Sequence, residues 1–211
     1  FIYIETVTYT RSPRVTLTKI SNGGVGPFNF SGTNGFGTDT ITTTVSGTGV
    51  AGATRILSLA NTATTVTETI PAGYVLTAAS CTGLGTGGTA TPNLATGDIL
   101  LDAAAVAPGV TIACTYTNGK RPTVQVRKIS VGNVGTFNFT GTNGYAADSI
   151  ATVTSNVAAA GAVRTLTAAS TATTITEAIP AGYTLTGISC TGLGGGTATP
   201  NLGAGSVALN A

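Results

Sequence analysis

Short runs of alternating apolar and polar residues dominate this chain. Val15-Thr16-Leu17-Thr18 and Phe28-Asn29-Phe30-Ser31 place an apolar side chain at every second position, the period of a strand with one buried face. Residues 41–45, 55–59, 64–69 and 74–77 follow, then 99–101 and 110–117, mostly separated by Gly, Asn or Pro. Seven or eight short strands with closely spaced turn signals predict an antiparallel β-sandwich. Helix is disfavoured, because Thr and Val lose χ1 freedom in a helix and fit a pleated surface. The alanine runs at 103–105 and 158–160 sit beside Pro or Gly.

The whole pattern occurs twice. Lys19-Ile20-Ser21 returns as Lys128-Ile129-Ser130, and Phe28-Asn29-Phe30-Ser31-Gly32-Thr33-Asn34-Gly35 as Phe137-Asn138-Phe139-Thr140-Gly141-Thr142-Asn143-Gly144. Glu68, Pro71, Gly73, Tyr74 and Cys81 match Glu177, Pro180, Gly182, Tyr183 and Cys190 at the same offset of 109. A one-residue deletion then aligns Thr91-Pro92-Asn93-Leu94 with Thr199-Pro200-Asn201-Leu202. A period of this length suits whole domains in tandem rather than solenoid units. The expected organisation is an arm over 1–12, a sandwich over 13–119 and a second sandwich over 120–211. Residues 118–122 are read as a short, semi-rigid, Pro-containing linker that holds the domains end to end.

The two copies differ at their ends. The first closes with Val110-Thr111-Ile112-Ala113-Cys114-Thr115-Tyr116-Thr117, whereas the second stops at Ala211, which matches Ala103. A spare strand over residues 1–10 precedes the first copy, and its Val7-Thr8-Tyr9-Thr10 parallels Cys114-Thr115-Tyr116-Thr117. A sandwich without its final strand exposes core side chains and unpaired backbone groups. The arm is expected to fill that place in a neighbouring molecule, with Phe1, Ile2, Tyr3, Ile4, Val7 and Tyr9 as the polymerisation strand. With Tyr9 set on Tyr116, Tyr3 and Val7 fall on Val110 and Cys114, and Glu5 falls awkwardly on Ile112.

Composition narrows the chemistry. The 211 residues carry a net charge of +2, 8% charged side chains and no His, Met or Trp. Threonine makes up about a fifth, against a few per cent in average usage. Without His there is no imidazole base, no Ser-His-Asp triad and no His metal site, so an enzyme is not expected. Nine scattered cations form no phosphate-binding stripe, which argues against nucleic acid. No segment reaches the roughly 18 apolar residues of a membrane span, and no cofactor is expected. A chain that begins at Phe1 is what a mature secreted protein or an excised fragment would present.

Cys81 and Cys114 lie in the same copy and are expected to form a disulfide. Closing about 34 residues would contribute roughly 3–4 kcal/mol in the chain-entropy model and implies an oxidising compartment. Cys190 repeats Cys81, its expected partner would lie on the missing strand, and it is read as a small buried thiol. Gly83-Leu84-Gly85-Thr86-Gly87-Gly88 formally fits a dinucleotide fingerprint, but no βαβ pattern surrounds it and a loop is expected. The sequons at Asn29 and Asn138 fall inside predicted strands and are read as chance. Asp98 and Asp102 have no acidic counterparts in the second copy (Ser206 and Asn210), so a calcium site is not expected.

Four charges recur: Lys19/Lys128, Asp39/Asp148, Arg55/Arg164 and Glu68/Glu177. Lys in the first strand, Glu before Pro-x-Gly-Tyr and Asn118 after the last strand together resemble the prealbumin-like SpaA or Cna-B domains of bacterial surface adhesins and pilins. The resemblance implies an internal isopeptide bond between the Lys amine and the Asn amide, assisted by the Glu, here Lys19, Asn118 and Glu68. The second copy keeps Lys128 and Glu177 without an Asn in the arm, which points instead to an ion pair as the role of Lys and Glu.

Two functional readings remain at this stage. One is a structural subunit of an extracellular bacterial filament, polymerising head to tail by donor-strand complementation. The other is a repeat fragment of a long multidomain cell-surface adhesin. The partner is a second copy in the first case, and the Thr-rich, low-charge surface also suits contact with other filaments or glycans.

Overall fold

The computed structural model describes residues 9–210. The chain divides into two compact units, Phe1–Lys120 and Arg121–Ala211, both built of strands and turns.

In the first unit one sheet contains β2 (Gly26–Gly32), β3 (Gly37–Thr43), β6 (Thr64–Thr69), β8 (Ala90–Asn93) and β9 (Asp98–Leu101), in the order β3-β2-β6-β9-β8. The other contains β1 (Arg14–Asn22), β4 (Val50–Ala51), β5 (Arg55–Ile56), β7 (Tyr74–Thr82) and β10 (Thr111–Lys120), in the order β4-β1-β10-β7, with β5 also on β1. The alternation in β1 buries Val15, Leu17, Lys19 and Ser21 on one face. The apolar members join Phe28, Phe30, Val66, Ile99 and Tyr116 in a single core. Each fully buried Leu, Val or Phe contributes about 1.5–3 kcal/mol.

The pairing departs from an all-antiparallel sandwich at one place. β1 and β10 run parallel over nine residue pairs, from Arg14↔Thr111 to Asn22↔Gly119. Parallel neighbours need a long crossover, and here the entire body of the unit supplies it. The side-chain period is the same for both orientations, so the sequence pattern cannot distinguish them. β10 also extends beyond the expected strand. Asn118, Gly119 and Lys120, read as linker, continue it past a bulge at Thr117/Asn118. Only Arg121 and Pro122 separate it from β11 (Thr123–Lys128).

Smaller differences have local causes. β8 lies outside the strands the alternation predicts because it contains Pro92, which is tolerated here at a sheet edge where a missing N–H breaks no ladder. The strand expected over 55–59 ends at Ile56, after which Leu57 is buried and its N–H donates to the Pro13 carbonyl. The Gly-rich run 83–88 is a turn between β7 and β8, and a Cβ on Gly85 or Gly88 would collide with the backbone of Ala104 and Ala105. Close packing therefore accounts for these glycines.

The second unit repeats the first sheet. β12 (Thr136–Gly141), β13 (Asp148–Ala151), β15 (Thr173–Ala178), β16 (Ala198–Asn201) and β17 (Ser206–Leu209) lie in the order β13-β12-β15-β17-β16. Its opposite face is thinner, with β11 pairing only with β14 (Ala159–Thr165). Residues 183–191, the counterpart of β7, run in no ladder. Among the described residues of this unit, none supplies the counterpart of β10.

Cys81 and Cys114 stand directly opposite each other on β7 and β10, and their sulfurs are bonded. Cys190 forms no disulfide among the described residues. Peptide mapping under non-reducing conditions is expected to recover Cys81 joined to Cys114 and Cys190 joined to neither. Replacing both members of the pair by Ala should lower unfolding stability of the first unit by about 3–4 kcal/mol in denaturant titration.

Candidate functional site: a buried ionic trio and an open strand slot

The first unit brings Lys19, Glu68 and Asn118 together from three strands. Lys19 projects inward from β1 because it continues the Val15-Leu17 phase, and Glu68 continues the Thr64-Val66 phase of β6 in the opposite sheet. Asn118 reaches the same point from β10, two residues after Tyr116. All three are buried. Lys19 Nζ lies 3.4 Å from Glu68 Oε1 and donates to the carbonyls of Ile20 and Tyr116 at 3.1 and 3.2 Å. Asn118 Nδ2 donates to Glu68 Oε1 at 2.6 Å. Phe28 floors the site, its ring centroid 4.5 Å from Lys19 Nζ.

Burial sets the protonation of this site. Loss of water lowers the Lys19 amine to about 8, only partly opposed by the attraction of Glu68. It raises the Glu68 carboxyl above its usual value, against the pull of Lys19 and Asn118. Both groups are thereby driven toward their neutral forms. Two further atoms, Glu68 Oε2 and Asn118 Oδ1, are buried without a hydrogen-bond partner among the described residues. A proton on Oε2 would turn one of these orphaned acceptors into a donor.

The other recurring charges form ion pairs. Asp39 pairs with Arg55 at 2.9 Å, and Asp148 with Arg164 at 3.1 Å. In the second unit Lys128 Nζ pairs with Glu177 Oε1 at 2.7 Å above the Phe137 ring. Asp98 accepts from Thr67 and Thr96, which hold its carboxyl below the usual range, and Asp102 accepts from Thr89 and the Ala105 N–H. Asn29 and Asn138 are exposed on β2 and β12. Among the described residues no His, Cys, Asp or Glu cluster could hold a metal.

The place of β10 in the second unit is an open groove of about 570 Å³ between β11 and residues 183–190. Val124, Val126, Lys128, Phe139, Ile175 and Cys190 are among its walls. Their counterparts Val15, Leu17 and Lys19, on the strand paired with β10, are fully buried, whereas Val124, Val126 and Lys128 keep part of their surface in water. Partial burial raises the Cys190 thiol. Of the arm residues named from the sequence, Phe1, Ile2, Tyr3, Ile4 and Val7 lie outside the described residues. Tyr9 is described and is 91% exposed.

The sequence reading missed the role of Tyr116. Its hydroxyl donates to the Val66 carbonyl at 2.8 Å across the sandwich, and its ring packs edge-on against Phe30 at 5.2 Å. The repeat of Phe30 and Val66 as Phe139 and Ile175 was the available signal.

The amine titration has a measurable consequence in an Asn118→Ala chain, where no amide is available to Lys19. Between about 8 and 10.5 the folded amine has lost its proton and the unfolded one has not. The unfolded state then binds more protons, so stability should rise with pH across that window. Denaturant titrations compared with the Lys19→Met, Asn118→Ala chain should isolate this slope, and a flat difference would contradict it.

A prealbumin-like fold domain model of the SpaA type matches residues 15–120 and again 124–211. Among solved structures, a shaft pilin SpaA from Lactobacillus rhamnosus GG (an E269A mutant) is similar at 15% identity. The match covers 82% of this chain and 90% of that one, with a TM-score of 0.27. No curated protein matches the chain. The two matched segments account for both repeats, and the chain belongs to the SpaA-type prealbumin-like fold domain family, with one copy of the domain in each unit.

Proposed function

We propose that this protein is a non-enzymatic structural subunit of an extracellular bacterial filament, assembled head to tail by strand donation. The observation that carries the reading is the groove in the second unit at the place of β10. Unlike the equivalent position in the first unit, it has no strand among the described residues. A partly exposed apolar wall and an unpaired backbone edge favour any strand able to cover them. The arm sequence would supply such a strand, and its last four residues before Arg11 repeat the β10 sequence with Val7 in place of Cys114. A ten-residue strand extends about 33 Å, enough to cross a small sandwich. Its root is fixed on the first unit, where the Arg11 carbonyl accepts from the Gly109 N–H and the Pro13 carbonyl from Leu57.

Donation between copies is a heterologous contact. Each added subunit leaves an arm at one end and a groove at the other, so growth is open-ended. The family to which both units belong agrees with a filament role, and an extracellular location follows from the same reading. No helix among the described residues is long and apolar enough to cross a membrane.

The trio of the first unit supports an accompanying covalent step. Neutral Lys19 Nζ would attack the Asn118 side-chain carbonyl, forming a C–N bond and breaking the bond to Nδ2. Glu68 would pass the amine proton to the leaving nitrogen, which departs as ammonia. No oxidant or cofactor is required. Such a bond would tie the first strand of the unit to its last, across a parallel pair that tension along a filament would otherwise shear.

Two measurements test these readings. Deleting residues 1–10 should abolish filaments seen by electron microscopy and leave aggregation-prone monomers that a synthetic arm peptide protects. Filaments formed by the truncated chain would overturn strand donation. For the covalent step, the intact mass after reduction of the disulfide should lie about 17 Da below that calculated from the sequence, as loss of one ammonia requires. Glu68→Ala should restore the full mass, and an unchanged mass in the unsubstituted protein would leave the trio as an ion pair.

A further inference from the structure

The occupied slot of the first unit is a template for the open one. In it, Cys114 lies beside Leu17 and opposite Cys81, and Tyr116 lies beside Lys19. The Tyr116 ring packs on Phe30, and its hydroxyl is received by the Val66 carbonyl. Every one of these receiving positions recurs in the open groove. Val126 and Lys128 stand on β11, Cys190 on the opposite wall, and Phe139 and Ile175 on the floor. Phe139 and Ile175 are each only 6% exposed, so the floor is formed without an occupant.

We infer that the second unit carries a tyrosine socket that accepts the arm of a second copy in a single register, running parallel to β11. Tyr9 seats its ring on Phe139 and donates its hydroxyl to the Ile175 carbonyl, and Val7 lies opposite Cys190. The inference rests on the strand donation proposed above and adds the direction, the register and the residues that read them. Three observations favour this register. Tyr9 is the tyrosine that the Val-Thr-Tyr-Thr match places on Tyr116. Tyr9 is almost fully exposed on its own unit and so is free to pack elsewhere. The same register turns Thr6, Thr8 and Thr10 outward, onto the places of Ala113, Thr115 and Thr117, which in β10 alternate with its buried positions.

A tyrosine socket specifies more than an apolar groove would. Many alternating strands could cover Val124 and Val126, but a phenol is needed to fill the aromatic contact and satisfy the carbonyl together. A slip by one residue would turn the threonines inward. A slip by two would place Glu5 opposite Cys190 and put Val7 in the socket, leaving both the ring contact and the hydroxyl bond unmade.

The free thiol of Cys190 makes the register measurable in the full chain. Filaments assembled from a Val7→Cys chain should become covalently laddered on non-reducing gels under mild oxidation, through the introduced thiol of one copy and Cys190 of the next. A Cys190→Ser change should abolish the ladder. Thr6→Cys and Thr8→Cys chains, whose thiols face the other side, should cross-link at least about tenfold more slowly, because a disulfide needs directly opposed Cβ atoms. A ladder from Glu5→Cys but not Val7→Cys would overturn the register while leaving donation standing. Filaments without cross-links from positions 3, 5, 7 or 9 would overturn both. If the Val7→Cys chain does not assemble, a peptide of residues 1–12 with cysteine at position 7, offered to the unsubstituted chain, reads the same contact. Peptide mapping should find it on Cys190, and coupling only through a peptide with cysteine at position 5 would overturn the register.

Discussion

A β-strand carries hydrogen-bonding groups on both edges, and the first unit is organised around satisfying both edges of one strand. β10 lies between β1 and β7, parallel to the first and antiparallel to the second. From this position it delivers Ile112, Cys114, Tyr116 and Asn118 to the interior at alternate residues. The disulfide, the cross-sandwich tyrosine bond and the buried ionic trio all have one member on it. In the second unit, where no such strand is among the described residues, the same receiving positions line a groove.

This dependence explains why the two units differ despite their similar sequences. The sheet formed by β12, β13, β15, β16 and β17 has its full set of partners and keeps the strand order of its counterpart. Residues 183–191 keep Tyr, Leu and Cys at the places of Tyr74, Leu76 and Cys81 in β7, yet they form no ladder, and no counterpart of β10 is among the described residues. A docking strand would therefore complete the sheet on both sides, gaining two rows of backbone bonds.

The trio and the groove also stand in a chemical relation. In the first unit a strand bearing Asn meets Lys19 and Glu68, in a site whose burial drives both charges toward neutrality. In the second, Lys128 and Glu177 form a closer pair at the side of an open groove, where water still reaches the lysine. The two sites thus differ in enclosure: Lys19 and Glu68 are fully buried, whereas Lys128 and Glu177 keep part of their surface in water.

The repeat, the strand periodicity and the charged residues were all legible in the sequence. Alternation reports which side chains face a core, and a 109-residue offset reports which positions play equivalent parts. These two signals were enough to pair Cys81 with Cys114, whereas the link between Lys19 and Glu68 came from the resemblance to SpaA-type domains. Direction and extent were not legible. Parallel and antiparallel strands share a side-chain period of two, so the β1–β10 pairing emerged only from the three-dimensional fold. Asn118 to Lys120 carry turn-forming residues, yet they are strand because β7 supplies a ladder partner past the bulge. Tyr116 reads as one more inward aromatic until the opposite sheet places the Val66 carbonyl beneath its hydroxyl. Local sequence determined which residues face inward, and the packing of one sheet against the other decided what they meet there.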